Sequence, residues 1–242
     1  MLGKCWARWA GPFREFGAWL GSLYVLNRLL NSLSRQLGLR VYDFMVQPIG
    51  GKPVLPLNLS KNLVARSIVR GDPEVAGMPA RDAIKAARFA QGAHCLGAYR
   101  KGQLMGYMWY AKHRHREDEV RCDYVLAEPA SSVFDFDFYV LPQYRLGLGF
   151  VGVWHCANEV LSAQGVRYTF SRLTVFNTAS RRAHARLGWQ RVGWGVFLQA
   201  WSVEFMLASL SPYVGATFRA SQRISLTLRP DVLSAAVKPS DA

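Results

Sequence analysis

The chain has 242 residues, of which half are apolar and 13% aromatic; this excludes a disordered chain and suits one domain with additions. Its formal charge of +14 and pI near 10.1 favour anionic partners such as nucleic acid, lipid headgroups or a phosphorylated cofactor, without choosing among them. The four cysteines lack a C-x-x-C pair and the histidines lack an H-E-x-x-H motif, so we expect no metal and a reducing, cytoplasmic location.

Residues 1–40 form a basic N-terminal segment that is predicted to be an amphipathic helical arm. Its uncharged run, Phe16–Asn27, is too short to span a bilayer. A leucine stripe recurs at helical spacing, at Leu20, Leu23, Leu26, Leu30, Leu33 and Leu37. Two interpretations stay open: the leucines pack on the domain or on a second copy of the chain, or the Trp-rich helix lies on an anionic membrane surface at the inner face of a membrane.

The domain is predicted to run over residues 41–230, with a disordered tail at 231–242. Its first half contains a strand, a short helical candidate, a helix and a hairpin around Lys101-Gly102, namely Leu39–Pro48, Lys61–Val69, Pro79–Gln91, and His94–Arg100 with Gln103–Tyr110. The charged segment Lys112–Glu119 follows, and we interpret its His113 and His115 as solvated loop residues.

Strict alternation over Val133–Val140 predicts a strand with Phe134, Phe136 and Phe138 on one face and Asp135, Asp137 and Tyr139 on the other. Beyond Pro142 a glycine-rich turn leads into an amphipathic helix ended by Gly165. A strand, a short basic helix and one or two further strands complete the pattern, at Val166–Phe176, Thr178–Leu187 and Trp189–Leu207. Alternating strands and helices predict an α/β sheet of mixed direction.

The turn around Arg145–Gly149 is the candidate binding site. Glycines at a strand-to-helix turn let the backbone approach a ligand closely, and the free N–H groups and dipole of a helix N-terminus favour a phosphate. Arg145 adds positive charge. An ordinary connection between a strand and a helix remains the alternative interpretation of this segment alone.

Two linked motifs carry a family resemblance. The segment Val140-Leu141-Pro142-Gln143-Tyr144-Arg145-Leu146-Gly147-Leu148-Gly149 resembles the acyl-CoA pyrophosphate loop of the GNAT (N-acetyltransferase) superfamily. The segment Asn177-Thr178-Ala179-Ser180, with Ala183-His184-Ala185-Arg186-Leu187-Gly188-Trp189, resembles the motif that follows it, in which Asn and a short helix precede Leu-Gly-Phe. The resemblance implies a GNAT-like α/β (α+β) fold, with a mixed, mostly antiparallel twisted sheet flanked by helices.

The resemblance also implies an activity and its site residues. Acetyl-CoA or another acyl-CoA would be the co-substrate, and an amine or hydroxyl acceptor would attack its thioester directly. Amides from Leu146, Gly147, Leu148 and Gly149 to Phe150 would hold the pyrophosphate. The backbone near Tyr139, Val140 and Leu141 would polarise the thioester carbonyl. Asn177 would contact the pantetheine arm or the adjoining strand, and Ser180 would be a further cofactor-binding residue.

Two departures from the family pattern are visible. Tyr144 stands where the family has Arg or Gln, and Arg145 comes one step closer to the glycines, so the loop is one residue short. His184 replaces a tyrosine that can protonate the departing thiolate; a histidine can also donate a proton. Packing within the helix is the alternative role for His184.

Asp135 and Asp137 are the candidate general bases, because their strand leads to the thioester. Asp137 is preferred, since it lies nearer the splayed end of the strand. Other functions stay open: a related transferase that takes its acyl group from an acidic acyl-carrier protein, or a catalytically silent module that binds CoA or nucleic acid. The acceptor is expected to be large or amphiphilic, such as a lipid-linked or glycan compound.

Overall fold

The computed structural model describes residues 2–50 and 53–230; the tail predicted to be disordered lies outside them. Its α-helices are α1 (Leu2–Leu33), α2 (Leu57–Ser60), α3 (Pro73–Ala76), α4 (Asp82–Ala90), α5 (Gly149–Ala163) and α6 (Thr178–Arg186). Its strands are β1 (Leu37–Pro48), β2 (Leu63–Ile68), β3 (His94–Arg100), β4 (Gln103–Ala111), β5 (Arg114–Arg116), β6 (Cys122–Leu126), β7 (Ser132–Val140), β8 (Tyr168–Thr174), β9 (Gln190–Ala200), β10 (Val203–Ala208), β11 (Val214–Thr217) and β12 (Ile224–Leu228). None of the helices in these residues combines the length and apolar character needed to traverse a bilayer.

The main sheet has the strand order β11-β10-β9-β1-β8-β7-β4-β3-β2. Its neighbouring strands are antiparallel except for β7 and β8, which run parallel. The predicted mixed and mostly antiparallel sheet flanked by helices is confirmed. A smaller sheet has the order β12-β6-β5.

The two faces of the main sheet are covered differently. Helices α1, α5 and α6 cover one side, which we call the α5 face; buried residues of α5 there include Trp154 and Leu161. Helix α4 and the smaller sheet cover the other side, the α4 face, where Phe89 packs on Trp109 and Tyr124 packs on Phe44. The core therefore lies in two layers, one on each side of the sheet.

Strand β7 contains a bulge that the sequence pattern did not predict. Trp109 pairs with Asp137 and Tyr110 pairs with Asp135, so Phe136 is an extra residue without a partner on β4. A bulge of this kind reverses the alternation of the side chains beyond it. Phe134 accordingly packs on the α4 face, whereas Phe138 stacks on Trp154 of α5, and the prediction of one strictly alternating strand is wrong.

Two local predictions in the first half are also wrong. The helical candidate Lys61–Val69 is strand β2, because its backbone completes the sheet beside β3. His115, predicted to be solvated, lies in β5, is buried, and stacks on the Phe136 ring with centroids 3.9 Å apart. Burial lowers the pKa of His115 to about 4.

The N-terminal helix packs on the domain through part of its leucine stripe. Leu20, Leu23 and Leu30 contact the buried cluster of Leu39, Val41 and Val175. Leu26 and Leu33 of the same stripe are exposed. The helix breaks at Gly17, whose φ of 79° is outside the helical range.

Candidate functional site

The site begins where β7 and β8 separate. The two strands pair only from Ser132 with Tyr168 to Asp135 with Ser171, and beyond that point they diverge. The opening is a cavity of about 410 Å³. It is lined by Asp135, Phe136, Phe138, Val140, Arg145, Phe150, Ser171, Arg172, Leu173, Asn177, Ala179, Ser180, Ala183 and His184. Both sequence motifs therefore border one cleft.

The glycine-rich turn presents a run of unused main-chain donors beside this cleft. Within the described ranges, no protein group accepts a hydrogen bond from the N–H groups of Leu146 through Val151. The first amide of the region that is satisfied belongs to Gly152, which donates to Leu148 O at 2.6 Å. Helix α5 also lacks a side-chain cap at its N-terminus. Such an end binds an anion through its amides and the positive pole of the helix.

Two glycines of this turn are required for its shape. Gly147 has a φ of +114°, which other residues rarely adopt. A Cβ on Gly149 would overlap the Tyr144 carbonyl oxygen, so the turn closes onto this position. The residues present therefore fit a diphosphate: the turn has free amides, and neither glycine places a side chain beside them.

Arg145 lies on the rim of the cleft, where its side chain folds back onto β7. Its Nε donates to Val140 O at 3.1 Å, and its guanidinium lies 5.3 Å from the centroid of the Tyr139 ring. The side chain of the next residue, Leu146, is 96% exposed, so only its backbone N–H can serve the predicted pyrophosphate contact.

Of the three residues around the end of β7 whose backbone the resemblance implied for the thioester carbonyl, only Val140 has an N–H group that faces the cleft. Leu141 N–H donates to Met105 O of the neighbouring strand at 2.9 Å. Because successive N–H groups point to opposite sides of a strand, the amide of Val140 points into the opening between β7 and β8. The amide of Tyr139 points toward β4, and its side chain stacks on Tyr107 on the α4 face.

Asp135 is buried at the narrow end of the cleft. Its Oδ2 accepts a hydrogen bond from Thr169 Oγ1 at 2.8 Å. Burial raises the pKa of Asp135 to about 7, although hydrogen bonds from Thr169 and Ser171 act in the opposite direction. A carboxyl group that titrates near neutral pH can take and release a proton under working conditions.

Asp137, the preferred base at the level of sequence, lies outside the residues that line the cleft. It is on the α4 face, where Arg88 Nη1 contacts its Oδ2 at 2.5 Å. Arg88 also contacts Asp118 at 3.3 Å. The bulge at Phe136 is the reason that the two aspartates point in opposite directions.

His184 forms the wall of the cleft opposite β7. Its ring packs edge-on against Phe150, Trp154 and Trp189, and its Nδ1 lies 2.7 Å from Ser180 O. Since that carbonyl can only accept, Nδ1 carries the proton and Nε2 of the neutral ring is an acceptor. Burial lowers the pKa of His184, which favours this neutral form.

Asn177 and Ser180 begin helix α6 at the edge of the cleft. Asn177 Oδ1 accepts a hydrogen bond from Ser180 N–H at 3.0 Å and so caps the helix. The Asn177 amide NH₂ group makes no protein hydrogen bond among the described residues. Ser180 Oγ lies 3.3 Å from His184 Nδ1.

Strand β8 supplies site residues that sequence reasoning missed. Ser171 and Leu173 line the cleft on the α5 face, and Arg172 reaches it from the other side. Arg172 pairs with the buried Glu117, with Nε–Oε2 and Nη2–Oε1 distances of 2.7 Å. No local motif marks these residues, because their place depends on the pairing of β7 with β8. Within the described ranges, His, Cys, Asp and Glu side chains nowhere gather in a group of three that could hold a metal ion.

Comparisons with known proteins give a family and several distant structures. Solved structures similar to the chain include a functionally unknown conserved protein from Staphylococcus epidermidis (14% identity, 73% of this chain and 67% of that one, TM-score 0.47). A tandem GNAT protein from the clavulanic acid biosynthesis pathway has 16% identity over 67% of this chain and 53% of its own, with a TM-score of 0.45. A GCN5-related N-acetyltransferase from Sphaerobacter thermophilus has 16% identity over 69% and 53%, with a TM-score of 0.40.

The chain spans between about half and two thirds of the length of these three structures. A search of curated proteins gives no match. The model of the acetyltransferase (GNAT) family matches residues 64–189, which include the free amides, both glycines, the aspartates of β7 and His184. The chain belongs to the GNAT acetyltransferase family.

Proposed function

We propose that this protein is an acyl-CoA-dependent acyltransferase that moves an acetyl or other acyl group to an amine or hydroxyl acceptor. One observation carries the proposal: the unused amides of Leu146 through Val151 lie at the mouth of the cleft between β7 and β8. A diphosphate on these amides would leave the rest of an acyl-CoA room to extend into the cleft.

The binding roles follow from the groups that the cleft presents. The amides of Leu146 to Phe150 would take the diphosphate, with Gly147 and Gly149 giving it close access to the backbone. The main-chain N–H of Val140 and the side-chain NH₂ group of Asn177 would hydrogen-bond the pantetheine arm or the thioester carbonyl. Bound acyl-CoA would supply an activated thioester, so the protein needs no nucleophilic serine or cysteine of its own.

Asp135 is the proposed general base. Its carboxylate would take a proton from the acceptor ammonium, which frees the nitrogen lone pair for attack on the acyl carbon. Its place at the narrow end of the cleft and its raised pKa of about 7 support this role. Asp137 is the second candidate; its contact with Arg88 on the α4 face keeps it away from an acceptor in the cleft.

His184 is proposed as a hydrogen-bond acceptor and positioning residue in the wall of the cleft. Donation of a proton to the thiolate from Nε2 would require the charged ring, which burial disfavours. The departing thiolate would then be protonated from solvent or from the proton held at Asp135.

The acceptor is proposed to be an amine or hydroxyl group carried by an amphiphilic compound. The chain's formal charge of +14 supports a partner with an anionic part, such as a lipid or a glycan precursor that bears phosphate. An acidic acyl-carrier protein is the alternative source of the acyl group.

The proposal is tested with purified full-length protein. Acetyl-CoA and longer acyl-CoAs should raise the melting temperature by mass action, and release of free thiol should depend on an amine acceptor. Gly147→Asp should abolish the thermal shift, because it places a side chain and negative charge against the diphosphate. Thermal stabilisation with no thiol release across a broad acceptor screen would point to a silent CoA-binding module. Absence of stabilisation by any acyl-CoA would refute the proposal.

A further inference from the structure

The α5 face of the main sheet is left uncovered beyond helix α1. Cross-strand neighbours there carry exposed apolar side chains: Leu198 pairs with Phe205, and Leu207 pairs with Val214. Their exposures are 39%, 48%, 52% and 67%, respectively. Monomeric proteins rarely leave a contiguous apolar patch of this kind in water. We call these four residues the apolar sheet face.

Helix α1 extends this surface. Trp19, Leu26, Leu29 and Leu33 are exposed and recur at i, i+7, i+10 and i+14, which places them on one side of the helix. Trp201, in the turn between β9 and β10, is 63% exposed, and its N–H donates to Gln36 O at 3.0 Å. Trp19 of α1 and Leu207 of β10 line one groove, so the helix stripe and the apolar sheet face adjoin.

A groove of about 610 Å³ runs between α1 and β9–β10. Its walls are mainly apolar, and one end holds the buried Asp43. Arg181 Nη2 and Arg191 Nε each lie 2.8 Å from a carboxylate oxygen of Asp43. Two guanidinium groups share one carboxylate, which leaves a net positive charge where the groove meets solvent.

We propose that this surface, the apolar sheet face with the exposed stripe of α1, docks on an anionic lipid bilayer. The apolar side chains would enter the acyl boundary, tryptophans would lie at its edge, and Arg181 and Arg191 would contact lipid phosphates. The formal charge of +14 selects this occupant over a second copy of the chain, since two equally charged copies repel each other. The inference does not depend on the proposed catalysis.

The test is co-flotation of the full-length protein with vesicles of phosphatidylcholine alone or of phosphatidylcholine mixed with phosphatidylglycerol. Binding is expected on the mixed vesicles and is expected to weaken with salt. Phe205→Ser with Leu207→Ser should reduce partitioning about tenfold or more, because two apolar side chains no longer leave water. Leu57→Ser with Val64→Ser is the matched control; both are exposed apolar residues elsewhere, at 85% and 61%, and should partition like the native chain.

A second variant tests the proposal in case the Phe205/Leu207 variant does not fold. Trp201 has a φ of +53°, a conformation that asparagine tolerates well, so Trp201→Asn should keep the fold and still weaken vesicle binding. Equal partitioning of the Phe205/Leu207 variant and its control would overturn the proposal. Equal binding to both kinds of vesicle would also overturn it, as would a dimer in light scattering that the Phe205/Leu207 variant dissociates while no vesicle binds.

Discussion

Asp135 and Asp137 are two residues apart on one strand, yet their carboxyl groups lie on opposite faces of the sheet. Asp135 contacts Thr169 at the narrow end of the cleft, and Asp137 contacts Arg88 of α4. The extra residue Phe136 causes the difference. The bulge lies where β7 and β8 stop pairing, and it determines which of the two carboxylates lines the cleft.

Because of this placement, substitution of each aspartate should affect the activity differently. Asp135→Asn should lower kcat/KM by about 100-fold or more, the usual range for loss of a general base. Asp137→Asn should lower it by less than about tenfold, since its side chain lies outside the cleft. Steady-state thiol release with a saturating acyl-CoA measures both. A larger loss in the Asp137 variant would move the base to the α4 face.

The pH dependence of the native enzyme's rate should also report the ionisation of Asp135. Because the pKa of Asp135 is raised to about 7, the carboxylate forms only as the pH passes through that value. The rate limited by the base should therefore rise between about pH 6 and 8 and then level off. The acceptor amine should have a pKa well above this range, so that its titration does not overlap with that of the enzyme. The limb near pH 7 should disappear in Asp135→Asn.

Asp135 should also make stability depend on pH in a defined direction. Between about pH 4 and 7 the unfolded chain has an ionised Asp135 and the folded chain a protonated one, so stability falls as the pH rises through this window and is level above it. The raised value corresponds to a cost on the order of 4 kcal/mol at pH 8. Asp135→Asn should thus raise the melting temperature at pH 8 more than at pH 4. An equal change at both values would show that burial does not shift this group.

Local sequence was sufficient for helices α4, α5 and α6, the hairpin and the two linked motifs, because each depends on neighbours along the chain. Gly165 follows α5 as the pattern predicts, and the predicted short basic helix is α6. The bulge at Phe136 could not be predicted, since it exists only in relation to β4. His115 is buried for a similar reason: β5 pairs with β6, and β6 pairs with β12, about a hundred residues further along the chain.

Gly149 offers a test of the pyrophosphate turn. An added Cβ would overlap the Tyr144 carbonyl oxygen, so Gly149→Ala must displace the turn that presents the free amides. The Kd for acetyl-CoA should rise about tenfold or more, or about 1.4 kcal/mol. Gly165→Ala is the control, because its φ of +79° imposes strain of about 1 kcal/mol but its Cβ meets open space. Calorimetric titration should find the control's affinity unchanged; equal losses in both variants would indicate a general effect on folding.

The buried pair of Glu117 and Arg172 makes a final prediction, about stability. Burial alone would raise the pKa of Glu117, but the Arg172 guanidinium overrides it and lowers the pKa to about 2. Arg172→Met leaves this carboxylate buried without its partner and should destabilise the fold by about 3–5 kcal/mol at pH 7. Adding Glu117→Gln should restore part of that loss, since no uncompensated charge then remains.

The pH dependence distinguishes this pair from packing alone. A lowered pKa means that the pair's contribution is present above about pH 4.5 and is lost as the pH falls toward 2, so Arg172→Met should cost less near pH 3 than at pH 7. Arg66→Met, which removes a half-exposed arginine from Glu74, should destabilise the fold much less than Arg172→Met does at pH 7. Urea unfolding of the four proteins at both pH values measures these differences. A cost for Arg172→Met that does not change with pH would assign its effect to lost side-chain packing instead of the ion pair.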